Sequence, residues 1–266
     1  MTHGPLRVVA TLALDDRDDA VLGAVSALAA RRACDVTLLH VLARDRTDTP
    51  PAVDACAARL GVPAAVRVVR GAVDEAAATV LAELDADLLV VGRSAAEEGA
   101  SAWGPHGRAL LRAAGCPVLI VPVGASLGFG RVAVGMDLSA SALDTLAFVG
   151  GLFDSVVCVV ALDPEGDERD AAALEANVRA AVTARDLPMP AIVARAGAAP
   201  ADVLLAVASE PPEVALIAVG TRGLSPLAVA FLGSTAERLA GRSARPVLVV
   251  RRRGESRGLL GALFGT

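Results

Sequence analysis

The sequence predicts an α/β protein built from two tandem, doubly wound parallel-sheet domains. Three observations carry that expectation. The 266 residues exceed one ordinary domain and suit two of roughly 100 to 150 residues each. Short apolar runs of strand length alternate with stretches of helical spacing. The alternation passes through the same order of elements twice.

A first strand is expected over Val8 to Leu14, ending in Asp15, and its second-half counterpart over Val132 to Met136, ending in Asp137. Ala20 to Arg32 and Ala140 to Leu152 then carry apolar residues at helical spacing. Val36 to Leu42 and Val156 to Leu162 are continuous apolar runs, the pattern of strands buried on both faces. After a variable segment, third strands reach glycine: Val66 to Val69 before Gly71, and Ile192 to Ala194 before Gly197, each with a helix to follow. Fourth strands, Asp87 to Val91 and Val214 to Val219, run into Gly92 and Gly220. Closing strands follow proline, over Pro117 to Val121 and Pro246 to Val250. Strands separated by helices imply parallel pairing with crossovers in each half. Gly, Ser and Ala replace the periodic pattern near Gly124 to Gly130, which places the domains at 1–124 and 129–253 and a flexible tail at 254–266.

Composition narrows the class. Apolar residues make up 54% of the sequence and aromatic residues only 2%, so the cores must be Ala, Val and Leu packed on parallel strands. Mean hydropathy is +0.55, yet no apolar run approaches the roughly 18 residues of a spanning helix. Val8 to Leu14 is too brief for a signal peptide and runs into Asp15, Asp16, Arg17 and Asp18. A soluble, cytoplasmic protein without membrane insertion is expected. The net charge of −5 disfavours nucleic-acid binding. Cys34, Cys56, Cys116 and Cys158 have neither CxxC pairing nor histidine at ligand spacing, so buried free thiols are expected, with no metal site and no disulfide framework. His40, in an apolar strand, reads as a satisfied core residue. Arg251, Arg252 and Arg253 read as a solvated strand end.

The most informative segment is Gly220-Thr-Arg-Gly223, nine residues, then Gly233-Ser234, which fits G-x(2)-G-x(9)-G-[ST] directly after a buried strand. Glycine lets the backbone approach a phosphate or ribose and tolerates positive φ. Ser234-Thr-Ala-Glu237 has the form of a capping box, which would open a helix whose free N–H groups and dipole attract phosphate. The bland reading is a strand-to-helix connector with Ser234 as a simple N-cap and Asp137 capping the first helix with Ser139.

This glycine spacing after the fourth strand resembles the signature of ATP-binding universal stress proteins, and the likeness spans nearly the whole sequence, twice. The resemblance implies a Rossmann-like, adenine nucleotide alpha hydrolase-like fold in each half. It implies that Asp137 contacts the adenosine portion and that the backbone of Ala161 lies against adenine. Gly220, Gly223, Gly233 and Ser234 would surround ribose and phosphates, with Thr221, Arg222 and Thr235 nearby. Universal stress domains dimerise through their last strand, so Val118 to Val121 and Val247 to Val250 are expected to pair as an intrachain pseudo-dimer, which also removes exposed edges. A homodimer of the two-domain protein and a regulatory protein partner are further expectations of the family.

The first half departs from the motif. Ala95 stands at the second glycine, Pro105 follows Gly104, and Glu97 and Glu98 would repel phosphate in that loop. Asp15, His40 and Val41 match the strand-end positions. One nucleotide per polypeptide is therefore expected, held by the C-terminal half: ATP with Mg2+, or ADP or AMP. The leading functional expectation is a non-catalytic stress-response regulator in which nucleotide reshapes the loop Leu224 to Leu232. The enzyme reading, a slow ATP hydrolase or nucleotidyl-transfer enzyme in the same pocket, lacks a GxxxxGK[ST] loop and any lysine. A nucleotide-free scaffold is the third reading.

Overall fold

The computed structural model describes residues 4–46, 48–94, 104–211, 213–221 and 233–251, without the side chains of 104–106. These residues form two compact units that part between Leu127 and Gly128. The N-terminal unit runs β1 (Leu6–Leu12), α1 (Arg17–Arg31), β2 (Cys34–Leu42), α2 (Ala52–Arg59), β3 (Ala64–Arg70), α3 (Val73–Glu83), β4 (Leu88–Arg93), α4 (Gly104–Ala113) and β5 (Val118–Pro122). The C-terminal unit runs β6 (Arg131–Gly135), α5 (Ala140–Gly150), β7 (Val156–Leu162), α6 (Glu168–Ala184), β8 (Ala191–Ala196), α7 (Pro200–Ser209), β9 (Val214–Gly220), α8 (Ser234–Arg242) and β10 (Val247–Val250).

Within the N-terminal unit the strands lie in the order β3-β2-β1-β4-β5, and within the C-terminal unit β8-β7-β6-β9-β10. All these neighbours are parallel. The backbone therefore winds outward from β1 to β3, returns, and winds the other way from β4 to β5. Right-handed crossovers then put the two halves of the winding on opposite faces of the sheet. The packing agrees, since α1 lies against α2 while α3 lies against α4, and α7 against α8.

Residue type follows position. β4, β5 and β10 are covered on both sides and are nearly all Leu, Val and Ile. The outer strands β3 and β8 are half exposed and carry Arg67, Arg70 and Arg195 among small residues. With few rings available, the core is built from branched aliphatics such as Leu38, Leu89, Ile120, Leu216, Ile217 and Leu248, all essentially inaccessible. The Phe129 and Phe153 rings stack in the C-terminal unit with their centroids 5.3 Å apart. Among the described residues no helix is long and apolar enough to cross a membrane.

The sequence expectation differs from this fold at identifiable places. β1 stops at Leu12 rather than Leu14, because Leu14 turns into a left-handed conformation at φ +61. The segments expected to be variable contain helices α2 and α6. α6 starts with a reciprocal cap in which Asp167 accepts from the Asp170 N–H at 3.1 Å and Asp170 accepts from the Asp167 N–H at 3.1 Å. Arg251, expected at a solvated strand end, is buried because it continues the line of the fully covered β10; Arg252, Arg253 and the tail lie outside the described residues. His40 is a satisfied core residue whose Nδ1–H donates to the Leu12 carbonyl at 2.9 Å.

The four cysteines are thiols; Cys56, Cys116 and Cys158 are buried and Cys34 is half-buried. Burial pushes the Cys158 thiol up to about 12, which leaves almost no thiolate at neutral pH, and the thiolate is the reactive form. Alkylation of the native protein near neutral pH, read by peptide mass, is expected to label Cys34 before the others and to spare Cys158 until the protein is unfolded. Early labelling of Cys158 would contradict this packing.

Candidate functional site

An open parallel sheet leaves a crevice beyond the carboxyl ends of two neighbouring strands whose connections leave in opposite directions. In the C-terminal unit those strands are β6 and β9. A cavity of about 460 Å³ lies at this fork, lined from the ends of β6, β7 and β9 and from the first turns of α5, α7 and α8.

The first wall is the turn out of β6. Leu138 holds φ +61, and the Oδ1 of Asp137 accepts from the Ser139 N–H at 3.0 Å. Ser139 is the N-cap of α5, its Oγ accepting from the Ala142 N–H at 3.1 Å. Asp137 therefore does not cap the helix; it braces the turn and lines the cavity. A second wall is apolar, from Val159, Val160 and Ala161 at the end of β7 and Leu174 of α6.

The third wall comes from β9 and α8. A Cβ at Gly220 would fall 2.8 Å from the backbone carbonyl carbon and oxygen of Ser141, so glycine here is required by the helix packed against the strand. Ser141 reinforces that contact by donating its hydroxyl to the Thr221 carbonyl, and Thr145 donates to the Ser141 carbonyl at 2.8 Å. Thr221 is buried behind the wall, with its N–H donating to the Val250 carbonyl at 3.1 Å, and does not line the cavity. Gly233, Ser234 and Thr235 line it. Arg222, Gly223 and the loop Leu224 to Leu232 lie outside the described residues.

The capping box expected at Ser234 does not form. α8 begins one residue early, so Gly233 is the N-cap and the helix has no side-chain cap. The first intrahelical bond runs from the Glu237 N–H to the Gly233 carbonyl at 3.1 Å. Helix geometry leaves the preceding N–H groups of Ser234, Thr235 and Ala236 without partners in the helix, on residues that line the cavity. Three helix N-termini thus converge on one space, and their dipoles make it favourable for an anion. Leu174, Pro200 and Leu204, also in the lining, were not legible as site residues, since α6 and α7 reach the fork only through the tertiary fold.

The N-terminal fork is built differently. A Cβ at Gly92 would fall 2.7 Å from the Cβ of Arg17, so Arg17 stands where Ser141 stands in the other unit. Leu14 shares the +61° φ of Leu138. The position matching Asp137 is therefore Ala13, and Asp15 matches Ser139 rather than Asp137 as the sequence suggested. Asp15 accepts from the Arg17 N–H at 3.0 Å and pairs with the Arg17 guanidinium, which holds its carboxyl below the usual range. Ala95, Glu97 and Glu98 lie outside the described residues.

Sequence comparison decides the family. The model of the universal stress protein family matches residues 7–122 and again 128–251. The protein belongs to the universal stress protein family. Among curated proteins, none matches its sequence. A universal stress protein from Archaeoglobus fulgidus superposes with a TM-score of 0.70 at 18% identity, over 93% of this protein and 98% of its own length. A functionally unknown protein from Pseudomonas aeruginosa superposes at 0.67 and 18% identity, over 99% of this protein and 98% of its own length. A universal stress protein in complex with cAMP aligns at 28% identity with 45% of this protein and 94% of its own length, with a TM-score of 0.36. This universal stress protein thus carries two copies of the domain, each an α/β unit with the same strand order.

The two glycines of the C-terminal fork are expected to respond differently to substitution. Gly220→Ala forces α5 and β9 apart and should cost about 1–3 kcal/mol, the usual cost of overpacking. Gly233→Ala meets no other described residue within 4 Å at φ −57 and should stay within about 0.5 kcal/mol of the parent. Urea unfolding followed by circular dichroism compares them; equal losses would contradict the assigned roles.

Proposed function

We propose that the C-terminal unit binds one adenine nucleotide per polypeptide, ATP with its Mg2+ in the first instance, and that the protein acts as a non-catalytic stress-response regulator in the cytoplasm. The observation that carries this reading is the cavity itself. Six residues proposed from the sequence, Asp137, Ala161, Gly220, Gly233, Ser234 and Thr235, line one space although they come from four separate stretches of sequence.

Each part of the lining suits one part of the ligand. The apolar wall at Val159 to Ala161 suits a purine, with the Ala161 backbone along its edge. The Asp137 carboxylate accepts from a hydroxyl or amine of the adenosine portion. Gly233, Ser234 and Thr235, with the amides of the first turn of α8, receive phosphate oxygens, and Arg222 and Gly223 complete the cradle in this proposal. Thr221 acts from behind, holding the end of β9 in register. Among the described residues no cluster of three or more His, Cys, Asp or Glu could hold a metal. In this proposal Mg2+ enters with the nucleotide, on its phosphates. ADP and AMP use the same contacts with fewer phosphates.

The regulator reading is supported by what the sequence lacks for phosphoryl transfer: it has no lysine and no GxxxxGK[ST] loop to stabilise a transferring phosphate. Signalling then proceeds through a protein partner or a second copy of the protein that distinguishes the loaded state. Any such switch is limited to the difference in nucleotide affinity between the two states.

Mass spectrometry of the denatured protein for copurified nucleotide, followed by calorimetry with ATP, ADP and AMP, tests the reading. A stoichiometry of one is expected. Asp137→Asn keeps the Oδ1 acceptor for Ser139 but loses the charge, and should weaken binding by about ten- to a hundredfold, since hydrogen bonds to charged groups contribute about 1.5–3 kcal/mol. No copurified nucleotide together with no heat from any of the three would leave the nucleotide-free scaffold as the better account. Multiple-turnover phosphate release that Asp137→Asn abolishes would favour the hydrolase.

A further inference from the structure

The two forks differ in where they keep a carboxylate. In the C-terminal unit it stands on the turn, as Asp137, and the first turn of the helix presents Ala142 to the cavity. In the N-terminal unit the turn has Ala13, and the helix position matching Ala142 holds Asp18. The match rests on several residues at once: Leu14 with Leu138, Arg17 with Ser141, and the buried Val21, Leu22 and Val25 with Thr145, Leu146 and Val149.

Asp18 is 2% exposed. One carboxylate oxygen accepts from the Ala13 N–H at 2.9 Å and the other from the Leu14 N–H at 2.9 Å. The Cys56 thiol approaches the second oxygen at 3.8 Å. A buried anion is thus held by two consecutive backbone amides of the turn. The corresponding amides in the C-terminal unit belong to Asp137 and Leu138, both in the cavity lining.

We propose that Asp18 is an internal ligand: its carboxylate fills the anion-receiving turn of the N-terminal unit and excludes nucleotide from it, so that selectivity between the two forks is set by the pair Ala13/Asp18 against Asp137/Ala142. The exclusion has three components. The amide donors are already engaged. The side chain takes the volume that Ala142 leaves open. Its charge also opposes the net negative charge of a nucleotide brought beside it. Arg17 does not offset that charge for a ligand, because Asp15 already pairs with it. The proposal rests on the nucleotide reading of the C-terminal fork, but its structural half can be tested without nucleotide.

That half is read by amide hydrogen exchange of the full-length protein without nucleotide. The Ala13 and Leu14 amides should be protected at least tenfold relative to those of Asp137 and Leu138, and Asp18→Ala should abolish the difference. The functional half transplants the plug. Ala142→Asp should reduce ATP binding at least a hundredfold in calorimetry, whereas Ala142→Asn, of equal size but uncharged and with an N–H2 to set against an amide N–H, should lose much less. Circular dichroism confirms that each variant is folded. In the opposite direction, Ala13→Asp with Asp18→Ala should raise the AMP stoichiometry from one to two. Equal losses from the Asp and Asn variants would overturn the proposal in favour of simple steric blockage, and so would unprotected amides at Ala13 and Leu14. If the parent binds no adenine nucleotide, the reading of the C-terminal fork fails, and the exchange rates alone decide whether Asp18 occupies its turn.

Discussion

The architecture depends on how closely a helix can approach the end of the strand beside it. At Gly220 the start of α5 lies so near β9 that a Cβ has no room, and at Gly92 the same holds for α1 against β4. These contacts fix the separation of the two strands that diverge at each fork, and with it the width of the crevice. A hydroxyl secures the C-terminal contact, with Ser141 donating to the Thr221 carbonyl. Both residues are buried, so losing one partner would leave a desolvated acceptor, which costs more than the bond contributes. The first glycine of the motif is thus an architectural requirement. Gly233 meets no other described residue within 4 Å and lines the cavity.

A fork of this kind gathers chemistry from distant sequence because every strand points the same way. Parallel strands end together, and each following helix begins there. The C-terminal unit uses this to bring the starts of α5, α7 and α8 onto one space beside an apolar wall. No cationic side chain is needed to make that space attractive to an anion when the backbone supplies the donors and their alignment supplies the field. The N-terminal unit has the same scaffold and answers the same field with its own carboxylate. Burial pushes the Asp18 carboxyl up, and the two amides pull it back.

Much of the fold was readable because parallel strands leave a plain trace: short apolar runs bounded by glycine, proline or aspartate in many cases. β7 was placed at its observed bounds from Val156 to Leu162 alone. What escaped was information carried by pairing between distant residues. α6 is a surface helix with alanines and charges around most of its circumference and only Val178 and Val182 buried, so its period is faint. Its start was marked by Asp167 and Asp170, a pair of aspartates in place of the usual Ser or Thr followed by Glu. At Ser234 the reverse occurred, with a well-formed capping signature that the helix bypasses by starting on glycine. The mismatch of Asp15 with Asp137 has the same origin. Both follow an apolar run, and only the left-handed leucines and the glycine contacts reveal that the acids lie two positions apart.

The outer strands carry a further consequence. β3 and β8 are half exposed, and their arginines are tied to neighbouring carboxylates: Arg67 to Glu83 and Arg195 to Glu210. A guanidinium on an outer strand must be stripped of water before another molecule adds its own backbone there, which makes strand addition unfavourable. Each unit thus carries a charged border on one edge strand, β3 in one and β8 in the other, that disfavours pairing with a second sheet.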